Sequence, residues 1–300
     1  MQRRPWILAC LALACSSGTL DEPAGDGGSG GSGGGNGGGT AAPECETPGY
    51  PTTAEQLDVG AVDATLLDLE GNPVTDILTQ LCGLDSCLNG DIDASGYATV
   101  AGTNPMMLPA FKYGGLGLDV GAVARHFPKI ALLLEAPFQQ IELGQLDVVV
   151  LPAEGSPIAA GGTVASGGIE LTVPADASVS FDRLTYRTDD EQAFRAAELA
   201  PELTPTGFAS GLDFDFFYAL SPIETEFCPP AALTVPNGAE LESGAEVEFF
   251  VHGTDVLARH APSGGFTKVA EGSVSDDGSV ISTTSGGLPV LSLVAVKLKQ

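Results

Sequence analysis

The sequence predicts an all-β protein built from antiparallel β-sandwich domains. Short segments of alternating apolar and polar residues, separated by turn residues, recur from residue 58 to residue 298, and this spacing is typical of sandwiches. Residues 246–251 alternate strictly, with Val247, Phe249 and Val251 on one face and two glutamates on the other. This pattern indicates a strand with one core face and one solvent face. Long amphipathic helical patterns do not occur in the sequence.

The first fifteen residues have the layout of a bacterial export signal. Arg3 and Arg4 precede a short apolar run that ends in small residues immediately before Cys15, which is the order of a secretory signal peptide. The ending Leu-Ala-Leu-Ala-Cys resembles the lipobox of bacterial lipoproteins. The resemblance implies that Cys15 becomes the mature N-terminus and carries a lipid. Because Ser16 rather than aspartate follows, it also implies attachment to the outer membrane, with the body periplasmic or surface-exposed.

The composition of residues 16–43 predicts a disordered tether between this signal and the folded body. Eleven of the fifteen residues from Gly25 to Gly39 are glycine, and such a segment buries too little apolar surface to fold. As a flexible coil the tether spans roughly 30 Å. No later apolar run approaches the ~18 residues that span a bilayer, so we expect the lipid to make the only membrane contact.

The formal net charge of −27 excludes several partners. Nucleic acid and anionic lipid both require clustered lysine and arginine, and we expect neither to bind. The acidity has two interpretations, a soluble exposed surface or Ca²⁺ binding. Because the carboxylates are scattered along the chain, the first interpretation is favoured. Asp91 begins a segment similar to the start of an EF-hand loop. The twelfth residue of that segment is Gly102 instead of the required bidentate glutamate.

Two turns organise the region assigned to a first domain, residues 44–110. Residues 68–74 have the sequence Asp-Leu-Glu-Gly-Asn-Pro-Val, and residues 93–97 have the sequence Asp-Ala-Ser-Gly-Tyr. Both combine turn residues between alternating strands. The two turns resemble those of the carboxypeptidase regulatory-like domain, a small transthyretin-like β-sandwich. The resemblance implies a small sandwich without catalytic activity.

The rest of the chain, residues 111–300, is predicted to form further β-sandwich structure. Residues 161–177 contain a Gly-Gly pair, a strand pattern and the ending Pro-Ala-Asp-Ala, which resembles the opening of a ZU5-like β-domain from about residue 158. Residues 221–236 resemble the inner strand pair of that family. Related domains cleave themselves at a His-x-Ser motif, but here valine replaces the histidine. Since Ser292 has no neighbouring base, we expect no self-cleavage and an ordinary strand residue at this position.

Other elements follow from local patterns. Residues 127–135 and 146–151 are apolar runs of strand length. Residues 212–216 alternate and predict a strand with two aspartates outward. Residues 189–203 fit a short helix that Asp189 caps and Pro201 ends. Because the surrounding sequence is rich in strand patterns, residues 193–196 fit an edge strand as well. Residues 276–278, with the sequence Asp-Asp-Gly, predict a hairpin turn.

Six cysteines suggest a lipid site and two disulfides. Besides Cys10 and Cys15 in the signal, an even number remains, which favours disulfides in an oxidising compartment; the remaining cysteines are Cys45, Cys82, Cys87 and Cys228. Four cysteines allow three connectivities. Cys82 and Cys87 are close enough in sequence to close a small loop, and Cys45 would then pair with Cys228 by elimination. Structural zinc is not expected because the sequence contains no Cys-x-x-Cys pair and histidine is sparse.

No sequence motif identifies functional residues. His126, His252 and His260 are assigned to surface or loop positions, and the folded part contains no nucleotide-binding or metalloprotease motif. No catalytic, cofactor-binding or metal site is therefore predicted. The favoured function is a lipid-anchored, non-catalytic binding or structural module of the cell envelope, with a protein or glycan partner. The alternative is a secreted metal-dependent hydrolase whose site is assembled from distant residues, among them His252.

Overall fold

The structure is a computed structural model that describes residues 45, 53–102, 105–117, 124–205, 208, 213–255 and 259–299. The predicted lipid site at Cys15 and the predicted tether lie outside the described residues. Residues 42–300 form one compact unit. In the described part of the chain, no helix has the length and apolar character needed to cross a membrane.

The regular secondary structure of the described residues is almost entirely β-strand, which confirms the predicted all-β fold. A single 3₁₀ turn, Pro201–Leu203, occurs among them. The strands, numbered in chain order, are β1 (Gln56–Leu67), β2 (Leu78–Cys82), β3 (Cys87–Asn89), β4 (Asp91–Ile92), β5 (Tyr97–Ala101), β6 (Pro105–Met107), β7 (Ala110–Gly114), β8 (Ile130–Leu133), β9 (Phe138–Asp147), β10 (Ser156–Pro157), β11 (Thr163–Ser166), β12 (Ile169–Thr172), β13 (Ser178–Ser180), β14 (Ala193–Leu199), β15 (Phe216–Ser221), β16 (Glu226–Pro236), β17 (Glu246–His252), β18 (Phe266–Val274), β19 (Val280–Gly286), β20 (Leu288–Val290) and β21 (Leu293–Leu298).

The first sandwich consists of two sheets packed over one core. One sheet has the order β4-β5-β1-β6, and β9 also pairs with β1; the other has the order β3-β2-β7-β8. The β1–β9 ladder is parallel, whereas the other strand ladders of the described residues are antiparallel. The core between the sheets includes Leu66, Leu81 and Phe111, and it runs in sequence from Val59 to Val148. Strands β7 to β9 therefore belong to this sandwich, which extends past residue 110.

The second sandwich is a single large sheet that folds back on itself. Its strand order is β10-β14-β15-β21-β17-β18-β19-β16-β12-β11, with β13 and β20 also paired to β16. Ile169 of β12 and Phe194 of β14 come from opposite ends of the sheet, yet both belong to the same buried core. The backbone N–H of Ala196 donates to Ser166 Oγ at 3.0 Å, which joins the two ends.

The predicted turns are confirmed, and side-chain hydrogen bonds explain them. Asp68 Oδ1 accepts the backbone N–H of Asn72 at 2.7 Å, and Asp93 Oδ1 accepts that of Ser95 at 2.8 Å. The Asn72 amide lowers the pKa of Asp68, and the Ser95 hydroxyl lowers that of Asp93. These are Asx-type turns, in which a short acidic side chain replaces a backbone acceptor. The Asp-Asp-Gly turn likewise joins the paired strands β18 and β19.

Three predicted strands differ from the observed ones. The strand expected at 212–216 begins only at Phe216, because Asp213 has a left-handed φ of 46° that ends an extended conformation. Residues 189–203 contain strand β14, which lies between β10 and β15, followed by the 3₁₀ turn. The strand expected at 146–151 ends at Asp147, and residues 148–151 continue without strand pairing.

Two disulfides are present, with the predicted pairings. Cys45 and Cys228 are joined with a Cα–Cα distance of 5.7 Å, which ties the start of the described chain to β16. Cys82 and Cys87 are joined with a Cα–Cα distance of 4.0 Å. They face each other in the β2–β3 hairpin, so this second bond closes a local loop.

Candidate binding cleft

A cleft opens between the two sandwiches, where the sheet β3-β2-β7-β8 faces a loop of the second sandwich, residues 181–192. The cleft has a volume of about 550 Å³, within the ~300–1,000 Å³ typical of small-molecule sites. Lys112 and residues 114–117 line one side, and residues of the loop together with residues 223–224 line the other. The cleft is therefore built from segments that are distant in sequence.

Strand β7 carries a lysine on the cleft side. Successive side chains of a strand point to opposite faces of its sheet. Phe111 and Tyr113 belong to the core of the first sandwich, so Lys112 between them faces the second sandwich. It lies directly opposite Gln80 of β2. Lys112 is 2% exposed, and its Nζ donates to the carbonyl oxygen of Thr254 at 2.7 Å.

The charge of Lys112 is buried without an ion-pair partner among the described residues. Burial, together with the Lys129 ammonium, lowers the pKa of Lys112 to about 8. Glu224 is occupied by other donors, since its Oε1 accepts Lys129 Nζ at 2.8 Å and Thr254 Oγ1 at 3.2 Å. An ammonium has three N–H donors, and the bond to Thr254 is the one hydrogen bond of Lys112 Nζ to the described residues.

The opposite wall of the cleft is a loop stiffened by its own hydrogen bonds. Asp182 Oδ1 accepts the N–H of Leu184 at 3.0 Å, and Glu191 Oε2 accepts that of Thr188 at 2.9 Å. The hydroxyl of the buried Tyr186 accepts the N–H of Ile223 at 3.0 Å, which fixes the loop to the segment after β15. The loop is thus held in one conformation by bonds at both of its ends.

A fully buried arginine anchors the C-terminal end of this loop. Arg195 of β14 is 0% exposed. Its guanidinium donates to the carbonyl oxygens of Ala153, Asp190 and Ala193 and forms an ion pair with the Asp190 carboxylate at 3.1 Å. A planar guanidinium with five donors can satisfy several acceptors at once. Arg195 therefore fixes the point where the loop enters the sheet.

Two histidines lie buried at the junction of the sandwiches, which corrects the prediction of surface or loop positions for them. His252, at the end of β17, is 2% exposed. Its Nε2 accepts the N–H of Ala131 at 3.0 Å, and its Nδ1 lies 3.0 Å from the carbonyl oxygen of Gly265. Burial lowers the pKa of His252 to about 3 and that of His126 to about 4. His260 does lie in a loop, with its Nε2 3.2 Å from Glu226.

His126 also forms a contact that sequence analysis did not find. Its Nδ1 lies 2.9 Å from Ser221 Oγ, and its ring stacks at 6.1 Å on Tyr186 of the cleft wall. The pair is buried, with His126 at 1% and Ser221 at 0% exposure. His126 Nε2 has no hydrogen-bond partner among the described residues, so no acidic group orients the ring as a catalytic triad requires.

Ser292 bonds to the backbone rather than to an imidazole nitrogen of the described residues. It is 2% exposed and immediately precedes β21 rather than lying within a strand, which corrects the predicted position. Its Oγ donates to the backbone carbonyl oxygen of His252 at 2.6 Å. The hydroxyl therefore acts as a donor to the backbone, and the contact gives Ser292 a structural role.

The acidic residues do not converge on one point. In the ranges that the structure describes, no group of three or more His, Cys, Asp or Glu residues is placed to hold a metal ion. Asp213 and Glu246 are exposed, whereas Asp215 and Glu248 are half-buried. Glu248 forms an ion pair with Lys268 at 2.7 Å. The predicted outward orientation thus applies fully to two of these four residues.

Comparison with known proteins provides no family. No family model matches the chain, and no curated protein matches it. One solved structure with detectable similarity is the TIE protein of Bacillus anthracis, at 11% sequence identity and a TM-score of 0.21. The match covers 81% of this chain and 46% of that one, so this chain corresponds to less than half the length of that structure.

Proposed function

We propose that this protein is a lipid-anchored protein of the bacterial cell envelope whose β-sandwiches form a non-catalytic binding module. The observation that carries the proposal is the cleft of about 550 Å³ at the junction of the two sandwiches. The lipobox-like Cys15 and the glycine-rich segment 16–43 supply the anchor and the tether. Within this proposal, residues 44–110 begin a carboxypeptidase regulatory-like domain that strands β7 to β9 complete, and a ZU5-like domain begins at about residue 158.

The walls of the cleft support binding because they are fixed in advance. Tyr186 and Arg195 hold the loop against the second sandwich. Lys129 and Glu224, at 2.8 Å, join the first sandwich to the second. A preformed site avoids the entropic cost of ordering loops when a ligand binds. The Cys45–Cys228 disulfide further ties the start of the described chain to β16 of the second sandwich.

The test is a binding screen of the full chain against oligosaccharides, peptides and small metabolites, followed by native mass spectrometry. Thr185 is exposed and lines the cleft, so Thr185→Trp should block the site without disturbing a core. Thr284 is exposed on β19 and does not line the cleft, which makes Thr284→Trp the matched control. Stoichiometric binding that Thr185→Trp alone abolishes supports the proposal; ligands that bind both variants equally contradict it.

A hydrolase is the second candidate, and the Ser221–His126 contact of 2.9 Å is the observation that favours it. A serine next to a neutral imidazole is the beginning of a nucleophile–base pair. Both side chains are buried, however, and a substrate would have to displace Tyr186 to reach them. Labelling of the full chain by a fluorophosphonate probe, lost in Ser221→Ala, would establish the hydrolase and exclude the non-catalytic function.

A further inference from the structure

We propose that the cleft binds a small molecule through a single carboxylate or phosphate group, which the ammonium of Lys112 holds. This inference rests on the proposed binding function and adds the chemical class of the ligand. Lys112 lines the cleft from β7 and is 2% exposed. One of its three N–H donors is used by the carbonyl oxygen of Thr254 at 2.7 Å. The remaining donors match the acceptor oxygens of an anion.

The charge balance around Lys112 supports an anionic ligand. A buried ammonium that lacks a carboxylate partner has lost hydration without a compensating ion pair. The carboxylate of Glu224 is shared by Lys129 and Thr254, and Lys112 forms no ion pair with any described residue. Replacing a buried charge by an apolar side chain is often neutral or stabilising. The lysine is therefore better suited to holding an anion than to supporting the fold.

The other charges of the cleft limit how many negative groups the ligand can carry. Besides Lys112, the lining holds the cations Lys129 and Arg187 and the carboxylates of Asp182, Glu191 and Glu224. Lys129 and Glu224 pair with each other. On the loop wall opposite β7, Asp182 and Glu191 outnumber Arg187, so this wall repels a polyanion that spans the cleft. The lining also contains apolar side chains from both sandwiches: Leu78, Leu116 and Ile223. A molecule with one anionic group and an apolar body fits this combination, whereas nucleic acid and other polyanions do not.

The experiment is a ligand-observed NMR titration of the full chain at pH 7. The probes are N-acetylated apolar amino acids, their uncharged amides, and inorganic phosphate. At least one acid, or phosphate, should bind with one-to-one stoichiometry, and that acid should bind about tenfold more tightly than its amide. Lys112→Met should weaken this binding about tenfold. Lys268→Met, which removes a half-exposed lysine of β18, should leave it unchanged.

Several outcomes would overturn the inference. Acids and amides that bind equally well, or no binding by any acid or by phosphate, would show that Lys112 does not select an anion. If Lys112→Met does not fold, Thr185→Trp tests the inference instead, because anion binding that survives blockage of the cleft must occur elsewhere.

Other outcomes distinguish this inference from the proposed function. Neutral ligands that occupy the cleft while anions do not would refute this inference alone. Turnover of a bound anion would refute only the non-catalytic function. Tight binding by phosphate or by the acids identifies which anionic group is preferred.

Discussion

Replacing Lys112 by methionine tests whether the cleft lysine is retained at a cost in stability. Burial lowers the pKa of Lys112 from an ordinary value of 10.5 to about 8. A lowered lysine pKa means that the folded protein holds the protonated form less well than the unfolded chain does. Methionine has a similar length and no charge, so the substitution removes this cost together with the hydrogen bond to Thr254.

The size of the effect follows from the two pKa values. At pH 7 the charge of Lys112 costs about 3 kcal/mol, and the hydrogen bond to Thr254 offsets about 1.5–3 kcal/mol of it. Lys112→Met should therefore change the free energy of unfolding at pH 7 by less than about 2 kcal/mol. Between pH 8 and 10.5 the unfolded chain binds more protons at this lysine than the folded protein does, so the stability of the native protein rises with pH.

The assay is chemical denaturation of both proteins at pH 7, 8 and 9.5. The cost of the charge falls from about 3 kcal/mol at pH 7 to about 1 kcal/mol at pH 9.5, so the native protein should gain about 2 kcal/mol relative to Lys112→Met. Subtracting the variant removes contributions from the buried tyrosines, which are common to both. Lys268→Met is the control and should show no relative change over this range. A stability difference between native protein and Lys112→Met that stays constant with pH would refute the buried-ammonium account.

Three further outcomes are expected. Cys15→Ser should release the protein from the membrane into the soluble fraction, and unchanged fractionation would show that the lipobox interpretation is wrong. Cys45→Ser removes a disulfide that closes a loop of 183 residues, and it should lower the free energy of unfolding by up to about 5 kcal/mol. Cys82→Ser removes one that closes a loop of 5 residues, and the loss should be about 2 kcal/mol. Equal losses would contradict the loop-entropy explanation. His252, with its pKa lowered to about 3, stays neutral in the folded protein while the unfolded chain takes up a proton below pH 6.5. Stability should therefore fall by about 1 kcal/mol more in the native protein than in His252→Gln between pH 7.5 and 5.5, as denaturation at the two pH values measures.

Local signals in the sequence were sufficient for the parts of the fold that local chemistry decides. The Asp68 and Asp93 turns are formed by side chains that bond to backbone groups two to four residues away, so their positions could be read from the sequence. Strand β17 was predictable because its alternation places Val247 and Phe249 in the core. The Cys82–Cys87 disulfide was predictable as well, because its two cysteines are close in sequence.

The cleft could not be predicted because distant contacts create it. Lys112 meets Thr254, and His126 meets Ser221, across 142 and 95 residues of sequence. No local sequence pattern indicates which face of β7 contacts the second sandwich. His126 and His252 were misplaced for the same reason. His252 directly follows the alternating segment 246–251, and its hydrogen bond from Ala131 of the other sandwich is a distant contact that no local pattern indicates.

The sequence around Lys112 carries a local pattern whose meaning only the structure reveals. In the segment Phe111-Lys112-Tyr113, a charged side chain alternates with two aromatic ones, a pattern that usually places the charge in solvent. Here the second sandwich covers that face of β7. Lys112 therefore points into the cleft between the sandwiches instead of into bulk solvent. An apolar residue at position 112 would satisfy both neighbouring surfaces at less electrostatic cost. A position where another residue would serve the fold better is where a functional demand is expected, and at position 112 that demand falls on the ammonium of Lys112.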